Sequence, residues 1–235
     1  YAALKLLNQE DVSIISIEDP VEYRLPGVTQ IQVNEKAGMT FAEGLRSLVR
    51  QDPDIVMIGE IRDKETADIA IHAALTGHLV LSTLHTNGAA SAPLRLMDMG
   101  IPPYLLSAAL SLVMAQRLVR KICPYCKKEI VLTEEMVRQN ELPISCVGKT
   151  VYEAAGCSHC QESGLLGRTG VFEMLAIGKE ERELIHHHFS VDRLREAMKR
   201  KGRRTMGETA LVMMEQGWIS PASAGQLLAG EASWI

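Results

Sequence analysis

Two short apolar runs, each ending in acidic residues, place the strongest constraint on the fold of this chain. Residues 14–17 read Ile-Ile-Ser-Ile and residues 55–58 read Ile-Val-Met-Ile. Each run is aliphatic and flanked by turn or helix signals, which is typical of a buried strand in a parallel sheet. Carboxylates follow both runs, at Glu18, Asp19, Glu22 and Glu60. Because ligands bind at the carboxyl ends of strands in open α/β sheets, we expect these acids to meet at one sheet edge.

A third apolar run adds a histidine to the same edge. Residues 79–81 read Leu-Val-Leu and lead through Ser-Thr-Leu to His85. Converging carboxylates suit a magnesium–phosphate ligand, because the cation and an activated water both need carboxylate oxygens. The alternative is that the acids only cap helices at the surface, which Glu18, Asp19 and Asp63 could all do.

The remaining signals predict an alternation of strands and helices. A capping box, Thr40-x-x-Glu43, opens one helix, and Asp63 caps another. Strands are predicted over residues 12–17, 30–33, 55–58 and 79–81, and helices over residues 1–7, 40–50, 64–76, 88–97 and 102–119. This order predicts an α/β fold whose parallel sheet is covered on both faces.

Four arginines lie on or near the predicted sheet edge. Arg46 and Arg50 are four residues apart and share one helix face, while Arg62 and Arg95 follow further along the chain. Guanidinium groups suit phosphate clamping and the arginine-finger role in ring ATPases. Salt bridges to acids on neighbouring helices are the alternative, and the sequence leaves both possibilities open.

The chain contains no G-x-x-x-x-G-K-[ST] phosphate loop. Its Gly148-Lys149-Thr150 tripeptide has Pro143 where the first glycine belongs, and it lies between cysteine pairs, so we interpret it as a decoy. A phosphate loop is followed by a helix, and the chain opens with one at residues 1–7. We therefore expect the loop to lie upstream of Tyr1.

Four of the five cysteines form two C-x-x-C pairs. The pairs are Cys123 with Cys126 and Cys157 with Cys160. Two such knuckles predict a closed structural Zn²⁺ site, with no catalytic role. A redox role is less favoured, since one pair would suffice and disulfides are disfavoured inside cells. Cys146 is interpreted as a spare buried thiol. His159 is an alternative zinc ligand that could replace one of the four cysteines.

Composition gives little reason to expect a polyanionic partner. The net charge is −4 and the isoelectric point is near 6.0, so no global attraction to nucleic acid or anionic lipid is expected. The basic run at residues 199–204 could bind either, but a cationic helix end is favoured. The three histidines at residues 186–188 are interpreted as a solvated helix end rather than a metal site.

The absence of a signal peptide or long apolar span predicts a soluble intracellular protein.

Several of these segments closely resemble the secretion ATPases of type II secretion and type IV pilus assembly. Residues 17–22 resemble the family's Asp box, residues 54–63 its Walker B segment, and residues 76–87 its His box. The similarity is nearly continuous over residues 12–126 and resumes at residues 167–173. The cysteine pairs resemble the tetracysteine zinc lobe of the secretion and pilus-extension branch, which pilus-retraction relatives typically lack.

The resemblance implies a RecA-like (P-loop NTPase) core with a parallel-rich sheet, a small zinc-binding lobe and a helical C-terminal tail. The implied regions are residues 1–122, 123–160 and 161–235. The implied cofactors are ATP, Mg²⁺ and structural Zn²⁺. Because the family's phosphate loop lies just before the equivalent of Tyr1, the chain alone is expected to be inactive.

By the same resemblance, each residue at the acidic edge has an implied role. Glu22 would act as general base, and Glu60 would coordinate Mg²⁺ through water, with support from Glu18 and Asp19. His85 would sense the γ-phosphate. The phosphate-binding or subunit-coupling residues would be Arg46, Arg50, Arg62 and Arg95.

The implied partners are further copies of the chain, in a homohexamer, and an inner-membrane platform protein with the other components of the assembly machine. The expected location is cytoplasmic and peripheral to the inner membrane, and nucleic acid is not an expected partner. Two alternatives remain at this stage. One is a zinc-containing nucleic-acid-binding module, suggested by the cysteine lobe and the basic run, and the other is a related DNA-transfer ATPase.

Overall fold

The computed structural model describes residues 1–232 of the 235-residue chain. Helices and strands alternate in the first part of the chain, as the sequence predicts. The elements are, in chain order, α1 (Ala2–Leu7), β1 (Ile14–Glu18), β2 (Thr29–Gln32), α2 (Phe41–Leu48), β3 (Ile55–Ile58), α3 (Lys64–Leu75), β4 (Leu79–Ser82), α4 (Ala92–Asp98), α5 (Pro103–Ala109), β5 (Leu112–Ile122), β6 (Lys127–Val131), α6 (Glu134–Gln139), β7 (Thr150–Ala154), β8 (Leu165–Ala176), α7 (Lys179–His187), α8 (Val191–Arg200), α9 (Met206–Glu215) and α10 (Pro221–Ala232).

The first four strands form one sheet with the order β2-β1-β3-β4. Every neighbouring pair in this sheet is parallel, which confirms the predicted parallel sheet. Ile17 of β1 lies opposite Ile58 of β3, and Ile58 lies opposite Ser82 of β4. The carboxyl ends of three strands therefore stand side by side at one edge.

Helices cover both faces of this sheet because its strands are apolar on both sides. On one face, Leu4 of α1 packs with Ile14 and Ile55. On the opposite face, Gly44 of α2 approaches Ile17 so closely that a Cβ on Gly44 would lie 2.1 Å from the Ile17 Cδ1 atom. Every residue of β1 is buried, as expected for a central strand of a parallel sheet.

The helix predicted over residues 102–119 is confirmed at its start, but its extension beyond Ala109 is wrong. The helix α5 ends at Ala109, and the strand β5 follows it and pairs antiparallel with β8. Along β5, exposed Met114 and Leu118 alternate with the more buried Val113 and Val119, and this is the two-residue period of a strand. An apolar run alone does not separate the two structures, and the partner strand lies far along the chain.

The C-terminal part also begins differently from the predicted helical region. The strand β8 occupies the first part of residues 161–235, and helices α7, α8, α9 and α10 follow it. The helix predicted over residues 88–97 starts later, since α4 begins at Ala92. The helical tail predicted from the family resemblance thus begins at Lys179.

The chain divides into two compact units. The first contains Tyr1–His85, Ala92–Ser111 and Gly178–Phe189, and so includes the parallel sheet. The second contains Thr86–Ser91, Leu112–Ile177 and the described residues from Ser190 onward. Its core joins the β6–β7 ribbon and β8 to α9 and α10, through residues such as Val151, Val171 and Met214. The functional division at residues 122 and 160 stays a prediction.

An apolar stretch of the sequence, at residues 105–115, is divided between two elements. The helix α5 contains its first part, and β5 contains its last part. Across residues 1–232, no helix has both the length and the apolar character that crossing a bilayer requires.

A glycine in α10 provides a test of the packing in the second unit. A Cβ on Gly225 would lie 1.7 Å from the backbone oxygen of Asn140, at the end of α6. Because a backbone atom cannot easily yield, we expect Gly225→Ala to lower the free energy of unfolding by about 1–3 kcal/mol, as overpacking does. Urea unfolding followed by circular dichroism measures this change.

The matched control for this test is Gly230→Ala in the same helix. A Cβ on Gly230 meets no described atom within 4 Å. Since alanine favours helix over glycine, this variant is expected to be neutral or to stabilise by up to about 1 kcal/mol. Equal unfolding curves for the two variants would contradict the proposed close packing.

Candidate functional site

A cavity of about 430 Å³ lies at the carboxyl ends of the parallel strands. Its walls include apolar residues of the sheet and its helices, such as Leu4, Met57 and Leu81. The acidic residues that line it are Glu18, Asp19, Glu22 and Glu60. Two distant chain segments supply these carboxylates, and they meet because β1 and β3 end side by side in the same sheet.

Glu18, the last residue of β1, is a buried carboxylate with 3 % of its surface exposed. Its Oε1 atom accepts a 2.5 Å hydrogen bond from the Ser16 hydroxyl and a 3.1 Å bond from the Gln30 amide. The hydroxyl of Tyr1 donates to its Oε2 atom. Both oxygens of this buried group are therefore satisfied by protein donors, as burial of a carboxylate requires.

Glu60 lies two residues beyond β3 and contacts two cationic or potentially cationic side chains. The Arg62 guanidinium donates to its Oε1 atom at 2.6 Å, and the Nε2 atom of His85 lies 3.1 Å from its Oε2 atom. The hydrogen bond from Arg62 lowers the pKa of Glu60 below its ordinary value, burial opposes this, and His85 adds to the lowering. Glu60 is therefore held as a carboxylate.

The residue before Glu60 fixes how closely β3 and β1 approach. The Gly59 N–H donates to the Ile17 oxygen at 2.8 Å, and the Thr83 hydroxyl donates to the Gly59 oxygen at 2.6 Å. A Cβ on Gly59 would lie 3.3 Å from the Glu18 Cα atom. A glycine here thus permits the close approach that places Glu60 beside the end of β1.

The four predicted arginines do not share one environment. Arg62 contacts Glu60, as described above. Arg46 pairs with Glu43 at 2.8 Å and also with Glu65 of α3, which is the salt-bridge alternative that the sequence left open. Arg50 and Arg95 are exposed, and neither is among the residues lining the cavity. The structure therefore brings only Arg62 to the acidic edge.

Three polar residues of the site were missed by reading the sequence. Tyr1, Ser16 and Gln30 all donate to Glu18. Ser16 carried a weak signal, because it is the one polar residue inside an apolar run. Tyr1 and Gln30 carried none, since their contacts depend on the pairing of β1 with β2 and on the docking of α1.

The two C-x-x-C pairs converge as predicted. The Sγ atoms of Cys123 and Cys157 and those of Cys126 and Cys160 are 3.9 Å apart, and all four sulfurs lie within 4.8 Å of one another. Four thiolates around Zn²⁺ at about 2.3 Å place their sulfurs roughly 3.8 Å apart. The cluster therefore has the dimensions of a tetrahedral zinc site.

Backbone donors favour the thiolate form at one member of this cluster. Burial raises the pKa of the Cys126 thiol to about 12. Burial also acts to raise the pKa of Cys160, but the N–H groups of Cys157 and Gly164, each 3.2 Å from its sulfur, help lower that pKa to about 7. Such N–H···S bonds are the supporting contacts that stabilise metal-bound thiolates.

The other candidate metal ligands lie outside this cluster. Cys146 is buried in the hydrophobic core of the second unit. His159 stacks on Tyr125 with ring centroids 4.2 Å apart and does not belong to the four-sulfur group. The three histidines at residues 186–188 are exposed at the end of α7.

Lysines in the Gly-Lys-Thr tripeptide and in the basic run at residues 199–204 form ion pairs within the chain. Lys149, in the Gly-Lys-Thr tripeptide, pairs with Glu215 at 2.5 Å and precedes the strand β7 rather than a helix. Lys199 at the end of α8 pairs with Glu208 at 3.3 Å. These ion pairs agree with the interpretation of both segments as structural.

Sequence comparison places the chain among secretion and pilus proteins. The sequence profile of the type II/IV secretion system protein family matches residues 1–226. Type II secretion system protein E of Dickeya dadantii is 54% identical over 187 residues, which are 80% of this chain and 37% of that protein. The type IV pilus assembly ATPase PilB of Thermus thermophilus is 46% identical over 218 residues, which are 92% of this chain and 24% of that protein. The chain thus spans well under half the length of these relatives.

Comparison with solved structures agrees with this placement. The pilus retraction motor PilT with bound ADP has a TM-score of 0.69 and 29% identity, covering 95% of this chain and 55% of that one. The ATPase DotB of Legionella pneumophila has a TM-score of 0.67 at 22% identity, covering 97% of this chain and 55% of that one, which shows a shared fold. The RecA-like α/β core predicted from the sequence is confirmed. This chain belongs to the type II/IV secretion system protein family.

Proposed function

We propose that this chain is the catalytic part of an ATP-hydrolysing motor subunit for type II protein secretion or type IV pilus assembly. The proposal rests on the cavity at the strand ends, where Asp19, Glu22 and Glu60 present carboxylates beside His85. Oxygen ligands of this kind suit Mg²⁺ bound to a nucleotide. Relatives named as ATPases support the same chemistry.

Each acid has a distinct proposed role. Glu22 is exposed, lines the cavity and activates the attacking water as a general base. Glu60, kept ionised by Arg62, holds Mg²⁺ through water, and Asp19 supports it. The side chain of His85 contacts Glu60 and is 86% exposed, and its proposed role is to sense the γ-phosphate of a bound nucleotide. Glu18 supports the site from within the sheet, because protein donors occupy both its oxygens.

The exposed arginines have a proposed role outside the cavity. Exposed Arg50 and Arg95 bind phosphate or a neighbouring subunit in this proposal, and Arg46 does so on leaving its salt bridges. The motor is proposed to work as a homohexamer that acts on an inner-membrane platform protein, in the cytoplasm and peripheral to that membrane. Because the relatives are longer, the activity is proposed for the full-length protein that contains this chain, and the chain alone is expected to be inactive.

The tetracysteine cluster is proposed to hold a structural Zn²⁺. Cys123 and Cys126 adjoin β5 and β6, while Cys157 and Cys160 lie between β7 and β8. A zinc bound to all four would tie together the ends of the inserted β6–β7 lobe. A site with four protein ligands has no open position, so no catalytic role is assigned to it.

The proposed catalytic acids can be tested by isosteric substitution. In the full-length protein, Glu22→Gln removes the general base and Glu60→Gln removes the anionic Mg²⁺ ligand. Each is expected to lower kcat for ATP hydrolysis by about 100-fold or more. Phosphate release measured at saturating MgATP gives kcat. Glu10→Gln, an exposed residue that does not line the cavity, is the control, and retention of activity in both acid variants would exclude the motor assignment.

The ion pair between Arg62 and Glu60 predicts a pH dependence. A depressed pKa means that Glu60 stays ionised as the pH falls and loses its charge only when the pH passes through that lowered value. Arg62→Gln removes the main influence that lowers the pKa of Glu60, and leaves burial, which raises this pKa, against the smaller lowering by His85. The acidic limb of the pH–kcat profile of the full-length protein is therefore expected to move to higher pH.

Arg62→Lys is the matched control for this profile, since it keeps the positive charge. It should retain an acidic limb close to that of the wild type. An acidic limb at the same pH in Arg62→Gln and the wild type would show that Glu60 protonation does not set this limb.

Metal analysis tests the proposed zinc site on the chain itself. Purified chain is expected to contain one zinc per molecule, measured by inductively coupled plasma mass spectrometry. Cys126→Ser should lose the metal, because three thiolates bind Zn²⁺ more weakly than four. Cys146→Ala should retain it, since Cys146 lies in the hydrophobic core and not in the sulfur cluster. Zinc-free wild-type chain purified under reducing conditions would refute the site.

A further inference from the structure

We propose that Tyr1 is a positioning residue for Glu22, acting together with the buried Glu18 carboxylate. The inference rests on the proposed function, because Glu22 matters here as the base that activates water. Tyr1 immediately precedes α1, and its side chain lies in the wall of the cavity. Its hydroxyl connects the acid inside the sheet to the backbone of the loop that carries Glu22.

The Tyr1 hydroxyl uses its full hydrogen-bonding capacity in this connection. It donates to the Oε2 atom of Glu18. It accepts from the backbone N–H of Glu22 at 3.2 Å and from the Nε2 atom of Gln30 at 3.3 Å. A phenol has one donor and can accept two hydrogen bonds, so replacing this group leaves three partners short of a bond.

The end of this hydrogen-bond network at Glu18 is held in place by residues of the sheet. Glu18 is held by Ser16 of its own strand at 2.5 Å and by Gln30 of β2 at 3.1 Å. The Gln30 side-chain oxygen accepts from the Leu25 N–H at 2.7 Å. This contact orients the amide so that its NH₂ group faces Glu18 and Tyr1. Glu18 therefore accepts at both oxygens, and the Tyr1 proton has one assigned acceptor.

The free end of the network is the Glu22 amide, in a segment without regular secondary structure. The Glu22 side chain is exposed at the cavity and lies in the loop between β1 and β2. The bond from its N–H to Tyr1 thus restrains the base at the backbone. Small displacements of a catalytic group reduce the rate of the chemical step far more than they reduce substrate binding.

The test compares two Tyr→Phe variants in the full-length protein. Tyr1→Phe removes the hydroxyl but keeps the ring, and kcat for ATP hydrolysis is expected to fall about tenfold or more, with the KM for MgATP changed less than about twofold. Tyr23→Phe is the control. The Tyr23 ring packs edge-on against Tyr1 with centroids 4.5 Å apart, and within residues 1–232 its hydroxyl makes no hydrogen bond. This control should keep wild-type kcat.

Hydrogen exchange measures the restraint directly and without nucleotide. In Tyr1→Phe the Glu22 amide loses its acceptor and should exchange about fivefold faster, resolved by mass spectrometry of peptides spanning residues 19–25. Exchange in α2 and α3 should not change. Gln30→Met, which removes another donor to the same hydroxyl, should lower kcat in the same direction. Combined with Tyr1→Phe, it should add less than its separate effect.

The outcomes separate this inference from the proposed function. If Tyr1→Phe keeps wild-type kcat and wild-type exchange while Glu22→Gln is inactive, the positioning role is wrong and the motor assignment stands. Faster exchange throughout the sheet, with kcat and KM changed together, would show general destabilisation and would also overturn it. A full-length wild-type protein without ATPase activity would overturn both proposals.

Discussion

The parallel pairing of β1 with β3 is the interaction on which the site depends. Residues 18–22 and residue 60 are far apart in the chain, and the register that sets Ile17 opposite Ile58 brings them to one edge. Parallel strands need a crossover, so the intervening segment must return over the sheet, and α2 does so. Gly44 permits the close contact of α2 with Ile17, and Gly59 permits the close contact of β3 with Glu18. The pairing of the strands and the packing of α2 on the sheet therefore determine the geometry of the site.

Gathering acids at one edge creates a repulsion that the surrounding residues reduce. Glu18 is buried, and neutral hydroxyl and amide groups donate hydrogen bonds to it. Arg62 neutralises Glu60, and Asp19 also contributes to raising the pKa of Arg62. Asp19 and Glu22 remain exposed to the cavity. A divalent cation at this edge would complete the compensation, because carboxylate oxygens are its preferred ligands.

The sequence alone predicted the strands and helix starts that depend on a short-range residue pattern. The apolar runs predicted β1, β3 and β4, and the capping residues Thr40 and Asp63 begin α2 and α3 as expected. It failed at β5, where an apolar run fits a helix or a strand, and only pairing with β8 decides between them. The contacts of Tyr1 and Gln30 were not predictable either, because they arise from side chains of three elements that meet only in the folded chain. The partner of Arg46 was left open for the same reason.

The cysteine cluster and the acidic edge obey different physical rules, which explains why one was easier to predict. Each C-x-x-C pair fixes its own local geometry, and two such pairs are the usual signature of a four-sulfur zinc site, so the sequence alone predicted the cluster. The observed 3.7 Å between Cys157 and Cys160 is set within four residues. The acidic edge has no such local code, because the relation of Glu22 to Glu60 is set by strand register and by the hydrogen bonds that orient the loop after β1. A single lost hydroxyl or a one-residue shift of register would leave the residues present and the site misaligned.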